Sequence, residues 1–128
     1  DYLPVLNNYA YYLSLDGKKL QKALKMSKTT VEKEPDNPTY LDTYAWILFQ
    51  KGRYAEARLY MDQTLKNDPK PGSVVLEHAG DVYWHSGGAD ESVGFWQKAI
   101  EAEDSPTRTD AEISLLKKKL ARKKYFTK

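Results

Sequence analysis

Apolar residues recur along this chain at the spacing of amphipathic helices, and the helices come in pairs separated by short breakers. The first pattern runs from about Pro4 to Leu15, with Leu6, Tyr9, Ala10 and Leu13 on one face. Pro4 suits a first helical turn, where its missing N–H costs nothing, and Asp16-Gly17 stops the helix. A second pattern, about Lys19 to Lys33, turns Leu20, Ala23, Leu24 and Val31 to one side, and Pro35-Asp36-Asn37-Pro38 breaks it. The next pair carries Leu41, Tyr44, Ala45 and Leu48, a turn at Lys51-Gly52, then Tyr54, Ala57, Arg58, Met61 and Leu65. The pair after it carries Leu76, Ala79, Gly80 and Tyr83, a turn at Ser86-Gly87-Gly88, then Val93, Trp96, Ala99 and Ile100. Asp90 is placed to cap this last helix or to charge its first turn. A final segment from about Thr109 to Tyr125 has Ile113, Leu116 and Leu120 on one side and Lys/Arg elsewhere.

The pairs keep a fixed period. Gly17, Gly52 and Gly87 are 35 residues apart, as are Ala10, Ala45 and Gly80, while Pro35 and Pro69 are 34 apart. A period of this size is the mark of a stacked repeat array. One helical hairpin cannot bury its apolar face alone, so its neighbours must stack on it. The expected organisation is a single domain over 1–128, with repeats at about 3–36, 38–70 and 73–105 and a capping helix at about 109–126.

These residues resemble the tetratricopeptide repeat (TPR), a 34-residue helix–turn–helix unit. The family pattern asks for a large residue, Leu-Gly and Tyr on the first helix, then Ala, an aromatic, Ala and a closing Pro. The central repeat answers with Leu41, Tyr44-Ala45, Leu48, Ala57, Met61 and Pro69, with Thr64 for the second Ala. The third answers with Leu76, Ala79-Gly80, Tyr83, Trp96 and Ala99, with Ser92 for the first Ala and no timed Pro. The first answers with Leu6, Tyr9-Ala10, Leu13, Ala23 and Pro35, with one extra residue in its turn. The resemblance covers about residues 4–104. It implies an all-α, right-handed superhelical solenoid that works as a protein-interaction scaffold, with the first helix of each unit on the concave side. Many bacterial members are exported, and a fragment of a longer bacterial TPR protein is expected.

Composition narrows the function classes. There is no cysteine, which excludes disulfides and thiolate metal sites. No apolar run is long enough to span a membrane, so a soluble protein is expected. The chain opens on Asp1 without a signal-peptide pattern, the expectation for a processed product or a piece of a longer protein. The compartment stays open between the cytoplasm and the periplasm or cell envelope. Charge is uneven: residues 107–128 hold eight bases against two acids, a local +6, and the remainder carries −4. The basic tail reads as a solvated cap whose cations complement the helix dipole. Nucleic-acid or membrane contact through it is not expected.

The register gives a candidate partner groove. Its first unit contributes Asn7, Asn8, Tyr11 and Ser14, its second Asp42, Thr43, Trp46, Phe49 and Gln50, and its third Glu77, His78, Asp81, Trp84 and His85. Asn7, Tyr11, Asp42, Trp46, Phe49, Glu77, His78, Asp81, Trp84 and His85 are the site residues expected to matter most. TPR proteins that grip carboxylate tails use Lys, Asn and Arg on this face, whereas Asn7, Tyr11, Thr43, Val74 and His78 stand at the matching positions here. Aromatics beside Asp42, Glu77 and Asp81 suit instead an apolar protein or peptide segment carrying Lys or Arg. The alternative is self-association, or docking of a longer parent chain, through the same face. His78, Asp81 and His85 fall at i, i+3 and i+7, too far between the histidines for helical zinc chelation. Gly87-Gly88 sits at a repeat turn and is no phosphate loop. No catalytic residues, metal or cofactor are expected.

Overall fold

The computed structural model describes residues 2–125, and among these every regular element is helical. The helices are α1 (Leu3–Ser14), α2 (Leu20–Lys33), α3 (Pro38–Gln50), α4 (Tyr54–Asn67), α5 (Ser73–His85), α6 (Ala89–Glu101) and α7 (Asp110–Arg122), with a 3-10 turn at Ser105–Thr107. Residue 126, expected to end the capping helix, lies outside the described residues. No described helix is long and apolar enough to cross a membrane.

The boundaries follow from local chemistry. Asn37 accepts from the backbone N–H groups of Thr39 and Tyr40 at 3.0 and 3.3 Å, and Pro38 occupies the first turn, so α3 starts there. At its far end Gly52 takes φ +79°. That lets Gly52 N–H reach Phe49 O at 2.9 Å and Arg53 N–H reach Leu48 O at 3.0 Å, the Schellman closure. Gly17 and Gly87 hold the same left-handed conformation, so the 35-residue glycine period is a backbone requirement. Helix α7 opens with a reciprocal capping box: Glu112 N–H donates to Thr109 Oγ1 at 3.1 Å and Thr109 N–H to Glu112 Oε1 at 2.8 Å. Asp90 and Glu91 lie in the first turn of α6 and carry negative charge to its N-terminus.

The helices form two compact units, Asp1–Pro69 and Lys70–Lys128. In the first, α1 packs on α2, α3 on α4, and α3 also lies against α2 and α1. Ala10, Ala23, Ala45 and Ala57 are fully buried. Tyr44 meets Tyr60 edge-on with ring centroids 4.8 Å apart. In the second unit α5 packs on α6 and α6 on α7. Leu76, Trp96, Ala99 and Leu116 form its buried core.

Thr64 and Ser92, which depart from the repeat pattern, are both fully buried. Their hydroxyls fold back on their own helices, Thr64 to Tyr60 O at 2.9 Å and Ser92 to Ala89 O at 2.7 Å. The cost of burying a hydroxyl in place of a methyl is thereby offset.

Gly80 shows how closely α5 and α6 approach. A Cβ there would run into the indole edge of Trp96 and stand 3.0 Å from Ser92 O. Trp96 is fully buried and cannot swing away. Overpacking of this kind costs ~1–3 kcal/mol, against a helix-propensity gain for alanine of at most ~1 kcal/mol. Gly80→Ala is therefore expected to lower the urea midpoint, while Gly94→Ala, which meets open space, raises it or leaves it unchanged.

Candidate functional site

In the first unit the expected site residues come from α1 and α3. Asn7 is buried, with its Oδ1 lacking a hydrogen-bond partner among the described residues, and Tyr11 is partly buried. On α3, Asp42 and Phe49 are buried and Trp46 is partly exposed. The rings of Trp46 and Phe49 stack nearly parallel, 4.8 Å between centroids and 17° between planes. Tyr54, at the start of α4, supports Phe49 from 5.5 Å. The result is a fixed aromatic shelf with one indole at its edge.

The second unit arranges its residues differently. Glu77, His78 and Asp81 are buried on α5, while Trp84 and His85 are partly exposed. The two carboxylates turn toward α7 and the segment before it. Lys119 Nζ lies 2.6 Å from Glu77 Oε2 and 2.8 Å from Asp81 Oδ1. Arg108 donates from Nη2 to Glu77 Oε1 at 2.7 Å and from Nη1 to Ser73 Oγ at 3.1 Å. Trp96 Nε1–H donates to Asp81 Oδ1 at 3.0 Å. Ser73 Oγ–H donates to Ala99 O at 2.8 Å, and Asp104 Oδ1 accepts from Ser73 N–H at 2.9 Å at the start of α5. Two acids and two bases thus neutralise each other inside the unit. Tyr125 completes the set, edge-on to His85 at 4.6 Å and 5.2 Å from Lys119 Nζ.

This corrects the reading of the basic tail as wholly solvated. Lys117, Lys118, Arg122, Lys123 and Lys124 are exposed, but Lys119 is only 2% exposed. The signal for it was present on the other helix. Glu77 and Asp81 stand one turn apart on a largely apolar helix, and buried carboxylates require cations. Lys119 follows the core residue Leu116 by three positions, so the apolar stripe of α7 carries it inward. A run of three lysines hid the one that matters. Neither Glu77 nor Asp81 faces solvent, which leaves this cluster a clamp and not an acid–base pair available to a substrate.

Burial drives the Asp81 carboxyl upward to about 6, against the pull of the Lys119 charge and hydrogen bond, with Glu77 adding to the rise. The folded state then binds a proton that the unfolded chain, titrating near 3.8, does not. Asp81 by itself therefore makes the fold less stable as pH rises from about 4 through about 6. Removing the cation leaves both carboxylates buried without it, at ~3–5 kcal/mol. Lys119→Met is expected to show that loss in urea melts at pH 7, shrinking as pH falls. The Asp81 carboxyl titration, followed by carbon NMR, should move to higher pH in the same variant.

Three comparisons with known proteins bear on this architecture. The tetratricopeptide repeat family model matches residues 38–71, the α3–α4 pair with its closing proline. No curated protein matches the chain by sequence. Among solved structures, the first TPR domain of the human RPAP3 protein, determined by NMR, has a TM-score of 0.71 at 17% identity, covering 94% of each chain. A chain of the Naa15/Naa10 structure bound to HypK-THB has a TM-score of 0.72 at 18% identity. That match covers 95% of this chain and only 18% of the longer one. Identities this low establish the fold alone. Tetratricopeptide repeats in general are non-catalytic scaffolds for protein–protein interaction. Residues 38–71 thus match a tetratricopeptide repeat, and the chain has the all-α helical-repeat fold of the TPR domain it resembles.

Proposed function

We propose that this chain acts as a scaffold of three repeats and a capping helix, residues 1–128, and binds protein segments through the faces of its first helices. The observation that carries this reading is the Trp46–Phe49 stack. Its rings are held before any partner arrives, with Trp46 partly exposed and Asp42 one turn back on the same helix. A preformed aromatic shelf binds with little loss of side-chain freedom. A partly exposed indole backed by a second ring favours an apolar segment, and its π-face also accepts a Lys or Arg. Trp84 and His85 serve the same role on α5, with Tyr11 contributing from α1. Glu77 and Asp81 contribute indirectly, by fixing α7 and Tyr125 against α5. Asn7 and His78, both buried, shape the face from beneath. The activity is presentation of a fixed surface, without catalysis, metal or cofactor.

The test is capture of partners from a native extract on the wild-type chain and on a Trp46→Ala/Trp84→Ala variant of equal helical content. A protein held by the first and lost by the second is then titrated directly, and its binding segment mapped with synthetic peptides. Truncating a central aromatic anchor is expected to cost at least ~2 kcal/mol of binding. Equal retention by both baits would reject the aromatic face. A concentration-dependent dimer in sedimentation, dissolved by the same substitutions, would replace the partner with a second copy of the chain.

A further inference from the structure

Helix α1 carries an apolar stripe that its own hairpin leaves in solvent. Val5, Tyr9 and Tyr12 recur at three- and four-residue steps along one side of the helix. A shift of 35 residues carries them onto Tyr40, Tyr44 and Ile47 of α3. Those three are 5%, 8% and 0% exposed, against 56%, 45% and 69% for their counterparts on α1. The two helices differ in what precedes them: α3 lies against α2 and α1. The stripe on α1 therefore continues, without a partner helix among the described residues, the hairpin-on-hairpin surface already built in this unit.

Its surroundings are net basic. Tyr9 and Tyr12 line a cleft of about 420 Å³ whose rim includes Asp16 and Lys19; the Asp16 carboxylate accepts from the Lys18 backbone N–H at 2.9 Å, and Lys22 Nζ stands 5.9 Å from the centre of the Tyr9 ring. Helix α1 has no charged residue of its own. Among the described residues no carboxylate lies within salt-bridge distance of Lys19 or Lys22. At the equivalent rings of α3 the preceding hairpin does supply carboxylates. Burial first, and then Glu34, raises the pKa of Tyr40. Burial first, then Tyr60, raises that of Tyr44, with Glu32 among the weaker causes.

We propose that α1 is a second docking surface, for an amphipathic helix of another protein that lays its apolar side on Val5, Tyr9 and Tyr12 and faces Lys19 and Lys22 with Glu or Asp. The site is separate from the Trp46–Phe49 shelf and stands or falls independently of it. The exposed tyrosines supply the attraction when the partner covers them, and the lysines select the charge of the partner's flanks.

The experiment titrates the chain against two side-chain-stapled helical peptides of about 15 residues, identical on the apolar side and flanked by Glu in one and Lys in the other. By fluorescence anisotropy the Glu-flanked probe is expected to bind about tenfold more tightly, with an advantage that shrinks as salt is added. Tyr9→Ser/Tyr12→Ser is expected to weaken that probe about tenfold or more at unchanged circular dichroism. Lys19→Glu/Lys22→Glu, which leaves the apolar stripe intact, is expected to reverse the preference between the probes. Equal affinity for the two probes, or undiminished binding by the tyrosine variant, would overturn the proposal. So would sedimentation showing that the chain alone dimerises and that the tyrosine variant does not, since the occupant would then be a second copy.

Discussion

A two-helix hairpin carries apolar residues on more sides than its own partner helix can cover, and every part of this molecule answers to that shortage. Alanines at the crossings bring the backbones close: Ala10, Ala23, Ala45 and Ala57 in the first unit, Ala79 and Ala99 in the second. Gly80 takes the approach to its limit against Trp96. What remains uncovered is passed to the next element. Helix α3 lies on the α1–α2 pair, and α7 on α6. Helix α1 has no such neighbour among the described residues, and its tyrosines stay in solvent.

The closing helix combines apolar and ionic contacts. Leu116 joins the core of Leu76, Trp96 and Ala99 through apolar contacts, which are weakly directional. Lys119 between Glu77 and Asp81 is directional, and Arg108 on Glu77 and Ser73 adds a second fixed point. A buried ion cluster gains little over apolar residues of the same size, since desolvation offsets most of the attraction. Its effect is to hold α7 in one register. One buried polar atom, Arg108 Nε, has no hydrogen-bond partner among the described residues and sets a small cost against that order. The same arrangement turns the acids of α5 inward, while Trp84 and His85 stay partly exposed on that helix.

The candidate face in the first unit rests on a different principle. Phe49 is buried and backed by Tyr54, and it holds the Trp46 ring flat at the edge of the helix layer. Hydrophobic burial anchors one ring so that the next can be offered in a fixed pose. Helical repeats suit this use, since each side chain points from a rigid element and not from a loop.

Sequence alone determined the elements. The period of Gly17, Gly52 and Gly87 is legible because each requires a left-handed backbone that glycine adopts without strain. Asn37-Pro38 and Thr109 through Glu112 mark helix starts because capping acts over three or four residues. The aromatic shelf was partly legible too, since Trp46 and Phe49 lie three residues apart on one helix. Tertiary structure alone decided which charges are spent inside. Glu77 and Lys119 are 42 residues apart, and although the apolar stripe of α7 turns Lys119 inward, nothing local says which carboxylates it meets there. Burial of a charge depends on what the fold brings opposite it, a long-range condition that no spacing rule expresses.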